Sequence, residues 1–293
     1  MSSSRSTSAA ASSFTNALLT LVLSAGPEWT YSSAGAHTTS PEFFNHANRP
    51  AMTDAPDRPL GPPLPGWTPR PRPRRDTLSG PRCRLEPLSV EAHGQDLWQA
   101  NAADTDGRMW DYMSCGPFAD FTDYSTWLTG AAAGEDPLFF AIVDQASDKA
   151  LGVASYLRID PANGVIEVGN IAYSPALQGT VLATEAMHLM MAHAFDDLGY
   201  RRYEWKCNAF NAPSRRAAQR LGFSYEGLFR NHMIVKGRSR DTAWFAITDN
   251  DWPAIKTAHE TWLAADNFDA DGTQRHALSA LTTALRKDDP GTV

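Results

Sequence analysis

Proline is spread unevenly along this chain, and its distribution limits where a folded core can form. Twelve of the 20 prolines lie before residue 85 in a chain of 293 residues. Between residues 49 and 81 they are interleaved with arginine and with few large apolar side chains. Proline removes a backbone donor and restricts the residue before it, so this stretch cannot sustain a helix. We predict a disordered, polyproline-like arm and linker over residues 1–80.

The charge of the chain changes sign near the same position. Residues 1–84 carry nine arginines, no lysine and five acids, for a net charge of +4. Residues 85–293 carry 17 basic and 28 acidic residues, for a net charge of −11. The whole chain therefore has a charge of −7, which argues against a broad nucleic-acid interface. No apolar run reaches the roughly 18 residues of a membrane-spanning helix, so we expect no membrane partner.

Two features bear on the cellular compartment. Cys83, Cys115 and Cys207 lie far apart without a Cys-x-x-Cys pair, which excludes a disulfide scaffold and a cysteine-rich zinc site and predicts a reducing compartment, the cytoplasm. The first 26 residues are rich in serine, with one arginine, no acid and a short apolar run over residues 17–23. They fit either a disordered tail or a weak signal or transit segment, and a transit segment would direct the protein to mitochondria.

From residue 82 onward, hydrophobic periodicity predicts alternating strands and helices. The predicted strands cover residues 82–88, 138–143, 150–159, 165–173, 201–208, 223–235 and 242–248. The predicted helices cover residues 90–100, 118–133, 180–198, 211–221, 251–264 and 274–286. Strands that precede a strand–helix–strand unit indicate an α+β fold with a mixed, mostly antiparallel sheet and flanking helices. We expect one domain over residues 82–265 and a tail, in part helical, over residues 266–293.

The segment from Tyr173 to Glu185 has the pattern of an anion site. A strand ends at Tyr173, a short loop contains Gln178 and Gly179, and a helix opens immediately after Thr180. Such a junction points unpaired N–H groups outward at the positive end of a helix dipole, which suits phosphates. The loop has no lysine and matches neither a P-loop nor a Gly-x-Gly-x-x-Gly motif. An ordinary capped helix is the alternative interpretation.

An ordered set of short motifs around this segment resembles the GNAT superfamily of acetyl-CoA-dependent N-acetyltransferases. The set comprises QGTVLATEA from Gln178, AF from Ala194, LGYRR from Leu198, NAPS from Asn211, RLGF from Arg220, EG from Glu226, and Arg230. It is similar in particular to the branch whose members acetylate the N-termini of ribosomal proteins. The resemblance spans about residues 82–253, and it implies a GNAT-like fold with acetyl-CoA as co-substrate.

The resemblance also implies where acetyl-CoA binds. The family motif Gln/Arg-x-x-Gly-x-Gly/Ala departs here at Val181, where a β-branched residue replaces the usual glycine but keeps the backbone N–H. The backbone of one strand end would pair with the pantetheine arm as an added strand. Asn211 would hydrogen-bond that arm, cap a helix, or do both. The implied cofactor-binding residues are Ile171, Ala172, Tyr173, Gln178, Gly179, Thr180, Val181, Leu182, Ala183, Thr184 and Asn211.

The implied reaction is direct attack of a neutral amine on the thioester in a ternary complex, which needs a base and an acid. Glu167, on the strand before the loop, is the candidate base, or else the partner of an arginine. The family's usual catalytic tyrosine is replaced here by Ala218, so Ser214 is the candidate acid, as in the ribosomal-protein branch, or else a first-turn helix residue. His188 and His193 are five residues apart, which misses the spacing of a two-histidine zinc helix, so we expect no metal.

Three functions remain open at this point. The first is acetylation of a primary amine such as a protein N-terminus. The second is the same chemistry on a small-molecule amine, for example in the detoxification of an antibiotic or toxin. The third is a non-enzymatic acyl-CoA-binding module, which Val181 and the missing tyrosine suggest.

Overall fold

Eight strands form one sheet in the computed structural model, which describes residues 60–288. The predictions for residues 1–59 and 289–293 lie outside the described residues. The strands are β1 (Leu78–Ser79), β2 (Cys83–Pro87), β3 (Leu138–Asp144), β4 (Lys149–Asp160), β5 (Val165–Tyr173), β6 (Arg202–Asn208), β7 (Ser224–Val235) and β8 (Arg238–Thr248). The helices are α1 (Val90–Asn101), α2 (Phe121–Ala133), α3 (Val181–Ala192), α4 (Ala212–Arg220), α5 (Trp252–Leu263) and α6 (Leu278–Thr282).

The order of strands across the sheet is β1-β2-β3-β4-β5-β6-β8-β7. Neighbouring strands are antiparallel except β5 and β6, which are parallel because α3 carries the chain back to the starting edge of the sheet. The predicted mixed, mostly antiparallel α+β sheet is therefore confirmed. Helix α3 ends as an α-helix at Ala192 and continues as a π-helical turn over His193–Asp197, so the predicted helix over residues 180–198 changes its hydrogen bonding near the end.

The two faces of the sheet carry different helices. On one face α3 and α5 bury Met187, Met190 and Ile255 against Phe140 and Ile166. The opposite face packs against α1 and α2 through a smaller cluster that includes the buried Leu97, Tyr124 and Leu128. Burial of each such side chain contributes roughly 1.5–3 kcal/mol to folding. None of the helices in the described part of the chain is long and apolar enough to cross a membrane.

Residues 63–80 lie along the domain, which corrects the prediction that the disordered arm extends to residue 80. The indole Nε1 of Trp67 donates to the carbonyl of Ala162 at 2.8 Å, and Arg75 donates to the carbonyl of Gly134 at 2.7 Å. The guanidinium of Arg70 lies 4.3 Å from the centroid of the Trp67 ring, and β1 pairs with β2. The arginines thus bind carbonyl groups and an aromatic ring, and this segment orders with few buried aliphatic side chains.

The predicted boundary at residue 265 also does not separate a tail from the domain. Leu278 is fully buried, and the hydroxyl of Thr282 donates to the carbonyl of Arg220 at 3.1 Å. The carboxylate of Asp288 accepts a hydrogen bond from the N–H of Tyr225 at 2.8 Å. The helix predicted over residues 274–286 is limited to Leu278–Thr282 followed by a 3₁₀ turn. Residues up to 288 therefore belong to the same packed unit.

Candidate active site

Strands β5 and β6 diverge, and the gap between them is the centre of the site. Their parallel ladder runs from Val165 opposite Arg202 to Val168 opposite Trp205, and within residues 60–288 it ends there. Beyond this point β5 follows β4 and β6 follows β8. A bulge in β5 assists the divergence, because Asn170 has a φ of +50° and the register with β4 shifts around it. The edge of β5 at Ile171, Ala172 and Tyr173 therefore faces a gap.

The loop from β5 to α3 presents backbone amides, as predicted. The hydroxyl of Thr180 accepts from the N–H of Ala183 at 3.1 Å and caps the helix. The N–H groups of Gly179, Val181 and Leu182 donate to no acceptor in the described part of the protein. Gly179 has a φ of +73° and open space around it. Three N–H groups are thus free at the positive end of α3, an arrangement that binds anions.

The other predicted residues of this segment support the loop. The side chain of Gln178 donates to the carbonyl of Tyr173 at 2.8 Å and so ties the loop to the end of β5. Ala183 and Thr184 are buried under the helix start. The hydroxyl of Thr184, in the first turn of α3, accepts from the guanidinium of Arg220 at 3.0 Å and so anchors Arg220.

Arg220 stands out because no carboxylate among the described residues pairs with it. Its guanidinium lies 4.8 Å from the centroid of the Trp262 ring, and burial lowers the pKa of Arg220. Its hydrogen bond to Thr184 attaches it to the first turn of α3, the turn that begins with the free amides. The sequence shows Arg220 only as one of several arginines on α4, and its approach to α3 depends on contacts between distant residues.

Asn211 and Ser214 lie at the start of α4. The Oδ1 of Asn211 accepts from the N–H of Ser214 at 3.1 Å, so Asn211 caps α4, while its amide nitrogen meets no acceptor within residues 60–288. The hydroxyl of Ser214 accepts from the indole N–H of Trp205 at 3.0 Å and also lies within hydrogen-bond reach of the Cys207 thiol. Trp205 is the last residue of β6 that pairs with β5. Its bond to Ser214 therefore places Ser214 where the two strands begin to diverge. Ala218, where the family's usual tyrosine would stand, is fully buried.

Glu167 is occupied by two cations. It is 3% exposed, its two oxygens lie 2.8 and 2.7 Å from the guanidinium of Arg158, and the ammonium of Lys206 lies 2.9 Å away. Lys206 also contacts Glu204 at 2.6 Å and lies 3.9 Å from the centroid of the Trp244 ring. Glu167 therefore has the arginine partner that the sequence analysis gives as the alternative to a base. In this pair the carboxylate is buried and the guanidinium of Arg158 is half exposed. A direct base needs a carboxylate oxygen that an amine can reach, and these contacts leave Glu167 without one.

The gap has two sides with different chemistry. Ile166 and Val168 pack toward α3, so Glu167 between them projects from the face that carries α1 and α2. The free amides, Asn211 and Ser214 lie on the α3 side. On the opposite side, next to the bulge at Asn170, is a cavity of about 410 Å³. It is lined by Ser114, Cys115, Thr126, Trp127, Gly130, Ala131, Pro137, Phe139 and Asn170. The free amides and the cavity thus lie on opposite faces of the sheet.

A loop between α1 and α2 crosses the second face. The ammonium of Lys236, at the tip of the β7–β8 hairpin, donates to the carbonyl of Trp110 at 2.8 Å. The hydroxyl of Tyr112 donates to the carbonyl of Phe210 at 3.2 Å, just before α4. The two bonds join residues 126 and 98 positions apart, and local sequence patterns carry no signal for such contacts. They enclose the side of the gap that holds the cavity.

Comparison with known proteins agrees with this geometry. Residues 82–224 match the acetyltransferase (GNAT) domain family. A GCN5-related N-acetyltransferase from Brucella melitensis is 48% identical, with 75% of this chain and 100% of that chain covered and a TM-score of 0.74. A probable acetyltransferase of the GNAT family from Chromobacterium violaceum is 40% identical over 68% of this chain and 100% of that chain, with a TM-score of 0.63.

Among curated relatives, the ribosomal-protein-serine acetyltransferase of Escherichia coli is 31% identical over 34% of this chain and 55% of its own length. The family to which these proteins belong generally uses acetyl-CoA as the acyl donor. The divergent parallel strands and the free amides at the start of α3 occur in a chain whose sequence and fold match the proteins from Brucella melitensis and Chromobacterium violaceum over most of its described length. The chain therefore belongs to the GNAT family of N-acetyltransferases.

Proposed function

We propose that this protein transfers the acetyl group of acetyl-CoA to a primary amine by direct attack in a ternary complex. The observation that carries the proposal is the set of three free N–H groups at Gly179, Val181 and Leu182, next to the end of β5 with which β6 does not pair. These amides would hold the diphosphate, and the edge of β5 would align the pantetheine arm. Val181 leaves its own N–H free, so the departure from the family motif is compatible with binding.

Residues at the start of α4 would complete the cofactor side. The unpaired amide nitrogen of Asn211 would donate to a carbonyl of the pantetheine arm. Ser214 would give its proton to the departing thiolate and regain a proton from the water that deprotonates the amine. The indole N–H of Trp205 orients its hydroxyl, which also lies within reach of the Cys207 thiol. Arg220 supplies a positive charge close to the phosphate-binding amides.

Glu167 has a different role in this proposal. Because Arg158 and Lys206 occupy its oxygens, Glu167 would hold these cations and join β5 to β6 at the root of the gap. A water molecule in the gap would accept the amine proton.

The three cysteines are free thiols, which supports the expected reducing compartment, and we propose the cytoplasm.

The acceptor is either a protein N-terminus or a small molecule. The ribosomal-protein-serine acetyltransferase among the relatives favours a protein N-terminus. The cavity of about 410 Å³ and the loop that crosses it favour a small amine, because a pocket of a few hundred Å³ encloses a small ligand. A non-enzymatic binding module is the remaining alternative.

Release of free thiol from acetyl-CoA distinguishes these functions. The protein is incubated with acetyl-CoA and either peptides with free N-termini or small primary amines. We expect thiol release that depends on the amine, and mass spectrometry should show an acceptor heavier by one acetyl group. Tight binding of acetyl-CoA without thiol release on any amine would contradict the enzymatic proposal and favour a binding module.

A further inference from the structure

Arg240 presents an open guanidinium beside the diverging end of β6. In the ladder between β6 and β8, Asn208 lies opposite Thr242 and Lys206 lies opposite Trp244, so β8 borders the part of β6 that leaves β5. The Nε of Arg240 donates to the hydroxyl of the buried Thr242 at 3.1 Å, which fixes the plane of the guanidinium. Its two terminal nitrogens form no hydrogen bond or ion pair with any described residue. They present the two parallel donors that bind a carboxylate or a phosphate.

The neighbouring cations differ from Arg240 because each has a carboxylate. Lys206 contacts Glu167 and Glu204, Arg158 contacts Glu167, and Arg202 contacts Glu204. Arg240 is half-buried, and burial lowers its pKa, as does the nearby charge of Arg158, whereas Glu167 acts in the opposite direction. A bound anion would offset the cost of holding this charge away from water.

An aromatic surface adjoins the guanidinium. The rings of Phe229 and Trp244 are stacked with their centroids 4.3 Å apart, and the ring of His232 lies 6.0 Å from that of Trp244. The Nδ1 of His232 lies 3.0 Å from the hydroxyl of Thr242, so the same buried hydroxyl holds both His232 and Arg240. Phe229 is 48% exposed, which leaves part of this surface open to a second flat group.

We propose that the acceptor amine carries an anionic group, a carboxylate or a phosphate, and that Arg240 binds this group with both terminal nitrogens. Arg240 is then a specificity-determining residue on the acceptor side, opposite the amides that bind acetyl-CoA. The inference rests on the proposed acetyltransferase function, because it names the class of amine that the same site accepts. The stack of Phe229 and Trp244 would contact the apolar part of such an acceptor.

The kinetic test uses matched amines that differ in one charge. Phenylalanine is compared with phenylalaninamide for the carboxylate, and phosphotyrosinamide with tyrosinamide for the phosphate. Each kcat/KM is expressed per concentration of neutral amine, because a carboxylate next to the amine raises the pKa of that amine. We expect kcat/KM to favour the anionic member of at least one pair by about tenfold or more, and the pair that shows this identifies the anion. Arg240→Gln should abolish this preference through KM, with acetyl-CoA affinity unchanged. Arg238→Gln, an exposed arginine on the same strand, is the control and should behave as the wild-type protein.

A binding measurement keeps the inference separate from turnover. N-acetylphenylalanine and N-acetylphenylalaninamide are titrated into the full-length protein by calorimetry, together with the N-acetylated forms of the phosphate pair. Tighter binding of an anionic member by the wild-type protein, lost in Arg240→Gln, supports the inference even if no amine releases thiol. Equal affinity for the anionic and neutral members of both pairs overturns it. Thiol release without charge preference likewise overturns the inference and leaves the proposed acetyltransferase function standing.

Discussion

Among single residues, Glu167 bears most directly on how the proposed reaction removes the amine proton. It lies on β5 at the root of the gap, where a direct base would be useful, but Arg158 and Lys206 contact its oxygens. Its neighbour in the parallel ladder, Glu204, shares Lys206. A carboxylate held in this way stabilises the junction of two strands. Its chemistry is therefore best tested by separating its effect on stability from its effect on the pH profile.

Glu167→Gln removes a negative charge from between two cations. We expect the free energy of unfolding to fall by about 1–3 kcal/mol, because Lys206 is almost completely buried and loses one of its two carboxylates. Urea denaturation measures this change. The acid limb of the kcat/KM profile should persist in the variant, because the proposed proton acceptor is a water molecule and the amine itself must lose a proton to react.

Glu226→Gln serves as the control for that substitution. Glu226 pairs with Arg202 at the exposed edge of the sheet, so its loss should cost less than about 1 kcal/mol. A Glu167→Gln protein with wild-type stability and no acid limb would restore Glu167 as the general base.

At the scale of the element, the packing of α3 against α5 includes two imidazole rings. His188 on α3 and His259 on α5 lie with ring centroids 5.6 Å apart. The Nε2 of His259 bonds the carbonyl of Leu221 at 2.9 Å, while its Nδ1 is buried and meets no partner within the described residues. Burial lowers the pKa of His259 to about 4 and also lowers the pKa of His188. Both rings are therefore neutral in the folded protein near neutral pH.

Stability should consequently fall as the pH falls from about 6.5 to about 4. In this window the unfolded chain binds a proton at His259 and the folded protein does not, so acid favours unfolding. The contribution of His259 is about 3 kcal/mol over the window, at 1.36 kcal/mol per pKa unit. Above pH 6.5 this contribution is fully present. Urea denaturation at a series of pH values should show a shallower decline for His259→Gln than for the wild-type protein.

The exposed His276 provides a matched control. His276→Gln should decline with pH as the wild-type protein does, because this side chain is open to water. Identical slopes for His259→Gln and the wild-type protein would show that the buried ring does not control the acid response.

The elements that the sequence predicted best are those specified by neighbouring residues. The loop around Gly179 and Thr180 and the helix after it follow from a glycine with positive φ, a threonine cap and a run of apolar residues at helical spacing. The partners of Glu167 could not be predicted equally well. Arg158 is nine residues away across a hairpin, but Lys206 lies on a strand that joins β5 only after the α3 crossover. Such contacts depend on the register of the sheet.

In the molecule as a whole, residues 63–80 pack on the domain, so the folded part begins well before the predicted boundary at residue 82. Proline and arginine content suggested an unfolded linker, since neither residue signals a core. In the structure, Trp67 covers the turn at Gly164, and Arg70 and Arg201 both lie over the Trp67 ring. The backbone N–H of Arg70 also donates to the carbonyl of Pro161 at 2.9 Å. A single aromatic residue thus organises the attachment of this segment.

Trp67→Ala should detach this segment and weaken the fold. We expect the free energy of unfolding to fall by about 1–3 kcal/mol, through lost burial, the lost hydrogen bond to Ala162 and the lost cation–π contact. Urea denaturation measures the loss, and limited proteolysis should cut the variant within residues 63–80 sooner than the wild-type protein. Leu64→Ala, which changes an exposed side chain, should leave both unchanged. Equal stability and equal protease resistance for Trp67→Ala would contradict the attachment.

Calorimetric titration of coenzyme A into the wild-type protein, Gly179→Glu and Gly272→Glu tests whether the start of α3 binds the diphosphate. Both glycines have positive φ, +73° and +81°, with open space around them, so the two substitutions impose similar backbone strain. Only the acid at position 179 would stand among the free amides of α3 and repel a diphosphate. We predict that Gly179→Glu lowers the affinity by about a hundredfold or more while Gly272→Glu binds as the wild-type protein does. Wild-type affinity in Gly179→Glu would show that the phosphates bind elsewhere and would contradict a diphosphate site at the start of α3.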